Sequence, residues 1–281
     1  DNKTKYGMGT PYCFYPSNYQ SYVAQNVNQS ANGMSATLVR NTKTFWPNDI
    51  TTLQLNVIYH NENTVRFRIF DPNNKRWEPP VPLTPANKEV TTKSYDVMIR
   101  NNPFGISIKR KTDNQDLFNI PIDAPLIFAD QFLQITSTLN VSVLYGLGER
   151  RSALPQNLKT WSSIAFWNRD VPPTENANLY GVHNFFVGMS ESGSAYGVFF
   201  LNSNAQEVIL QPLPAITYRS IGGVMDFFIF TGPTAAQVVS SYQSLIGYPT
   251  MPPFWSLGFH LCRWGYGSLA NTEMVWKRTR N

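Results

Sequence analysis

Cysteine is scarce in this chain. Of 281 residues only Cys13 and Cys262 carry a thiol, and no CxxC pair occurs. Neither a disulfide framework nor a thiolate metal site has support. Histidine is nearly as rare. His60, His183 and His260 are scattered and form no HExxH arrangement, so no metal and no cofactor is expected. Charged residues make up 15%, well below the roughly 25% of an average globular protein. The net charge of +5 is diffuse, and between positions 171 and 270 the only Lys or Arg residues are Arg219 and Arg263. That distribution does not suit a phosphate-binding surface, and no nucleic-acid partner is expected. No apolar run reaches the roughly 18 residues a membrane span needs, so any membrane attachment would come from a segment outside this chain. GxSxG, P-loop and GxGxxG motifs are missing as well.

What is present is apolar, aromatic and rich in turns. Hydrophobic residues make up 42% and aromatics 14%, with 20 Pro and 17 Gly. From about residue 34 the pattern is one of strands. Val65, Phe67 and Ile69 alternate with Arg66 and Arg68, which predicts a half-buried strand. It pairs with Leu53-Gln-Leu-Asn-Val-Ile-Tyr59 across the turn residues 60–63. Further strands are expected at 97–99, 106–109, 126–128, 132–136, 197–201, 208–210, 216–219 and 225–230. So many short strands between turn clusters predict an antiparallel β-sandwich. The cationic run Lys109-Arg110-Lys111 reads as a solvated hairpin end. One helix is marked by Thr234 and Gln237, a capping box, followed by the apolar stripe Val238, Val239, Tyr242, Leu245 and Ile246. Gly247 stops it.

The chain opens on Asp1 with no signal peptide, as a processed product would. Asn2, Asn28 and Asn140 head glycosylation sequons and point to a secretory route.

Three places hold residues suited to chemistry. Trp161-Ser-Ser-Ile-Ala-Phe-Trp-Asn-Arg-Asp170, before Val171-Pro-Pro173, combines exposed-type aromatics with a carboxylate able to accept from two sugar hydroxyls. Its bland reading is a strand end before a Pro-Pro turn. Arg263-Trp264-Gly265-Tyr266 follows the apolar stretch Trp255–Leu261. In a barrel the loop after a strand faces the active site; otherwise it is an aromatic corner. Glu149, in Gly146-Leu-Gly-Glu-Arg-Arg151, reads as a general acid or as a turn carboxylate paired with Arg150 or Arg151. His260 reads as a hydrogen-bonded core histidine within an apolar strand.

In this order, Leu144-Tyr-Gly-Leu-Gly-Glu149, Trp167-Asn-Arg-Asp170, Ala177-Asn-Leu-Tyr-Gly181, Gly197-Val-Phe-Phe-Leu-Asn-Ser-Asn204, Ile221-Gly-Gly-Val-Met-Asp226 and Gly258-Phe-His-Leu-Cys-Arg-Trp-Gly-Tyr266 resemble glycoside hydrolase family 31. Ile69-Phe-Asp-Pro-Asn-Asn74, continuing to Leu83, is similar to the family's animal digestive and lysosomal α-glucosidases. Gly9-Thr-Pro-Tyr-Cys-Phe-Tyr15 resembles the tail of the trefoil module that precedes the catalytic unit in those enzymes, with Cys13 lacking its usual partner. The resemblance implies a mainly β architecture: a trefoil remnant over 1–20, an N-terminal antiparallel β-sandwich over 21–247, and over 248–281 the first strand and helix of a (β/α)8 barrel completed by another chain or segment.

It also implies substrate-binding roles for Asp170 and Trp264 and a retaining exo-α-glucosidase acting on maltose-like oligosaccharides. The family's Trp-x-Asp-Met nucleophile motif is absent from this sequence, so both catalytic aspartates are expected in a downstream partner segment. Pro172 stands where some relatives have a hydroxyl residue. The expected location is extracellular, cell-surface or lysosomal. Two other readings stay open: a lectin-like sugar-binding sandwich, and an α-glycosidase of other specificity such as an α-xylosidase or the endoplasmic-reticulum glucosidase II, the last disfavoured by the trefoil-like start.

Overall fold

A computed structural model describes residues 21–40 and 46–280. The trefoil-like stretch, with Asn2 and Cys13, lies outside the described residues. Two compact units divide after Gly247.

The first unit is built on an eight-stranded antiparallel sheet. It comprises β1 (Val23–Ser30), β2 (Gly33–Val39), β3 (Thr52–Asn61) and β4 (Thr64–Phe70), then β10 (Val143–Arg150), β12 (Asn178–Met189), β13 (Ala195–Phe200) and β16 (Met225–Phe230). Their order is β1-β2-β3-β4-β16-β13-β12-β10. A five-stranded sheet has the order β11-β14-β15-β9-β8, with β8 (Ile127–Ala129), β9 (Phe132–Thr138), β11 (Ser162–Phe166), β14 (Gln206–Gln211) and β15 (Ala215–Ser220). A three-stranded sheet holds β5 (Tyr95–Arg100), β6 (Gly105–Arg110) and β7 (Asp116–Asn119). The β3–β4 hairpin forms as the alternation requires, Val57 opposite Phe67.

Strand β16 is buried along its whole length. Its side chains alternate faces. Met225, Phe227 and Ile229 enter the main core between the sheets, where Phe227 stacks on Phe67 (5.0 Å between centroids) and Phe200 (4.4 Å). Phe118 from β7 and Tyr218 from β15 close on the same ring. Phe228 and Phe230 face the other way, into a second cluster with Val238 and Leu245. These last two belong to α1 (Ala235–Ile246), whose capping box is present as expected, with the Gln237 N–H donating to Thr234 Oγ1 and the Thr234 N–H to Gln237 Oε1. Tyr242 stacks on Phe185 at 4.0 Å. Val239, expected in the apolar stripe, is exposed. The helix approaches β13 so closely that a Cβ at Gly197 would sit 2.5 Å from Val238 Cγ1.

The cationic run lies at the β6–β7 hairpin end as expected, but its middle residue is not solvated. Lys109 and Lys111 make surface ion pairs with Asp116 and Asp96, but Arg110 is only 1% exposed. Its guanidinium donates to the Ala195 carbonyl (2.7 Å), the Thr231 carbonyl (2.5 Å), the Asp113 carboxylate (2.7 and 3.0 Å) and Gln115 Oε1. It thereby ties the three-stranded sheet to the ends of β13 and β16. A planar five-donor fork satisfies buried carbonyls that no hydrophobic residue could.

The second unit contains a 3-10 turn, Phe254–Leu257, and α2 (Leu269–Arg280). Residues 255–261, expected as the first strand of a barrel completed by another chain or segment, form no paired strand among the described residues. Phe254, Trp255, Leu257, Phe259 and Leu261 are exposed. A strand is held by ladders to its neighbours, and among the described residues none pairs with this stretch. His260 is likewise exposed rather than a core residue; its Nε2 lies 3.1 Å from the Ser256 carbonyl. Cys262 is free and exposed.

Replacing Arg110 with Met orphans the Ala195 and Thr231 carbonyls and is expected to cost about 3 kcal/mol, read as a lowered midpoint in denaturant unfolding. The hydrogen bonds from Arg110 also hold the Asp113 carboxyl below its usual range. The ionised form is thus favoured on folding. This contribution is present above the unfolded value and is lost as pH falls through the folded one. Asp113→Asn is expected to flatten the acid limb of a stability–pH curve below about pH 4.

Candidate functional site

Segment 167–177 leaves β11 and returns as β12. Trp167, Asn168, Arg169 and Asp170 are all exposed, and beyond them Pro172 and Pro173, which lack an N–H, cannot donate to a ladder. Asp170 Oδ1 accepts a hydrogen bond from the Tyr180 hydroxyl at 2.6 Å. Its second oxygen has no donor among the described residues. The carboxylate thus carries one fixed oxygen and one open to a ligand. Hydrogen bonding to Asp170, with the charge of the carboxylate, raises the pKa of Tyr180 above the ordinary phenol value.

The position of Tyr180 follows from an irregular strand pairing. Gly148 pairs with His183 and Arg150 with Asn178. Two steps along β10 therefore match five along β12, and β12 bulges by three residues there. Gly181, in that bulge, donates its N–H to Glu149 Oε2 at 2.8 Å. Glu149 is consequently neither a turn residue nor a partner of Arg150 or Arg151. It lies on β10 and anchors the bulge that presents Tyr180. The sequence reading gave Tyr180 no role, although it stands ten residues beyond Asp170 within Ala177-Asn-Leu-Tyr-Gly181.

Trp167 and Asn168 also form one wall of a cleft of about 550 Å³, lined further by Asn184, Asn202 and Asn204. Among the described residues no charged side chain lines it. The rest of the lining is mostly apolar, and the Asn184 and Asn202 amides donate to Gln206 and to the Gly222 and Val224 carbonyls within the fold.

Trp264 belongs to the second unit and is fully exposed, at 105% of its reference area. Next to it the Arg263 guanidinium lies over the Tyr266 ring at 5.6 Å. Of the two sequon residues described, Asn28 and Asn140 are both exposed. No helix is long and apolar enough to cross a membrane among the described residues.

Residues 52–208 match the glycosyl hydrolase 31 N-terminal galactose mutarotase-like domain. The chain is 45% identical over 269 residues to the lysosomal alpha-glucosidase of Mus musculus, covering 95% of this chain and 28% of that protein. It is 40% identical over 273 residues to the intestinal sucrase-isomaltase of Homo sapiens, covering 94% of this chain and 15% of that protein. The crystal structure of a glucosidase II alpha subunit in its Glc1Man2-bound form superposes with a TM-score of 0.72 at 18% identity, over 93% of this chain and 38% of that one. The shared fold is the β-sandwich.

Asp170→Asn removes the negative charge beside Tyr180 while keeping a side chain of the same shape. The Tyr180 pKa is expected to fall back toward about 10, followed by ¹³Cζ-tyrosine NMR titration. An unchanged titration would mean that the pair does not form in solution.

Proposed function

The chain belongs to glycosyl hydrolase family 31, and from that membership we propose that it is the N-terminal part of a retaining exo-α-glucosidase that removes terminal glucose from maltose-like oligosaccharides. The observation that carries this reading is the open oxygen of Asp170, on an exposed loop held by Tyr180.

In the proposed enzyme Asp170 accepts hydrogen bonds from neighbouring hydroxyls of the non-reducing glucose, and Trp264 offers its indole face to the apolar side of the ring. Asp170 lies on the sandwich and Trp264 on the segment 248–281, which we assign to the start of the barrel. The chain spans about a quarter of the mouse relative's length, and the sequence contains no Trp-x-Asp-Met motif. We therefore place the nucleophile and the acid/base carboxylate in the downstream barrel segment, which is this chain's necessary partner. In a retaining glycosidase those two groups stand about 5–5.5 Å apart: one attacks the anomeric carbon, and the other protonates the leaving oxygen and then activates water. The residues of this chain orient the sugar for that attack. The lysosomal and intestinal names of the relatives support a secretory-pathway location, with glycans on Asn2, Asn28 and Asn140.

A charge-assisted hydrogen bond made to the sugar is worth about 1.5–3 kcal/mol. Asp170→Ala in the full-length enzyme is therefore expected to lower kcat/KM on maltose by about 10- to 100-fold. Unchanged kinetics would reject the role. Trp264→Ala is expected to raise KM for the same substrate.

A further inference from the structure

A carboxylate on an exposed loop of 11 residues (167–177) grips a sugar well only if the loop is held still, since a displacement of about 1 Å can cost 100-fold in rate. The loop has almost no buried side chains to fix it. It is fastened through its backbone instead. Asn178 Nδ2 donates to the Trp167 carbonyl at 2.7 Å, and the Arg169 N–H donates to the Leu179 carbonyl at 3.2 Å. On the returning side, Arg150 Nη2 donates to the Asn176 carbonyl at 2.5 Å and Arg151 Nη1 to the Pro173 carbonyl at 3.3 Å. The Asn176 N–H donates to the Arg151 carbonyl at 2.9 Å, and Arg151 forms an ion pair with Glu175 at 3.6 Å. Asp170 and its two following residues form the tip left between these attachments.

We propose that Arg150 and Arg151 are positioning residues, a tandem clamp at the end of β10 that holds loop 167–177 so that Asp170 projects toward the substrate. Arg150 suits the task because it sits in the ladder opposite Asn178, the residue that fixes the other limb. Its guanidinium is half-buried and reaches across to the loop without leaving the sheet. Arg151, just past the strand, is exposed and grips the loop from outside. Neither touches the sugar. The site was not apparent from spacing, because the donors and the loop are some 25 residues apart in sequence.

Hydrogen bonds in exposed positions contribute little each, equivalent to about a two- to tenfold shift in the loop's held-to-free ratio. Losing one should therefore loosen the loop and leave the sandwich folded. The inference rests on Asp170 binding substrate, and the test separates the two. Hydrogen exchange on the full-length enzyme reads the clamp alone. Arg150→Met is expected to speed exchange over residues 167–177 about five- to tenfold and to leave β13 and β16 unchanged, and Arg150→Lys to restore part of the protection. Equal exchange in the variant and the parent would overturn the clamp. In the full-length enzyme, Arg150→Met is expected to raise KM for maltose about fivefold with little change in kcat. That effect should vanish in an Asp170→Ala background. An equal effect in both backgrounds would show a merely structural role and overturn the proposal. If Asp170→Ala has no effect itself, the substrate reading fails, while the exchange measurement still decides whether the loop is clamped.

Discussion

Every part of the sandwich is arranged around a strand that has no face to give to water. β16 carries Met225, Phe227 and Ile229 on one side and Phe228 and Phe230 on the other. Each buried Phe is worth about 2 kcal/mol of transfer free energy, so both sides must be covered. The inner side is covered by the five- and three-stranded sheets, and the outer side by α1. The polar price of this arrangement falls on Asp226, the one carboxylate in the strand. Burial raises its pKa against the pull of its neighbours, and Arg66 satisfies it with a two-pronged contact of 2.8 and 2.5 Å.

The two aspartates form an instructive contrast. Asp226 has both oxygens committed to a guanidinium, in a site closed to solvent. Asp170 has one oxygen on a phenol and the other open. A neutral partner orients the carboxylate without cancelling its charge, whereas a bidentate arginine would have done both. The first arrangement serves stability, and the second leaves an acceptor open, as the proposed role of Asp170 requires.

The parts of the fold that depend on local periodicity were legible in the sequence. Val65, Phe67 and Ile69 announced β4, and Thr234 with Gln237 announced the start of α1. What the sequence concealed depends on partners far along the chain. Arg110 looked solvated because its neighbours are lysines, yet its acceptors are at 195 and 231. Glu149 looked like a turn residue because two glycines precede it, but its partner is the amide of Gly181. Residues 255–261 carry the composition of a strand, but a strand is held by neighbours, and the described residues supply none for this stretch. Asp170 was visible as a candidate, whereas Tyr180 and the tandem arginines became visible only once the bulge in β12 brought them to it.

The pairing of β4 with β16 also sets a schedule for synthesis. β4 ends at Phe70 and its neighbour begins at Met225, so about 155 residues must be translated before that edge finds its mate. At ribosomal speeds of 5–20 residues per second this leaves the nascent hairpin β3–β4 with an unpaired flank for roughly 10–30 s. A half-finished sheet of this kind is an open template for mispairing, which makes the early β1–β4 segment the point where chaperone protection during translation matters most.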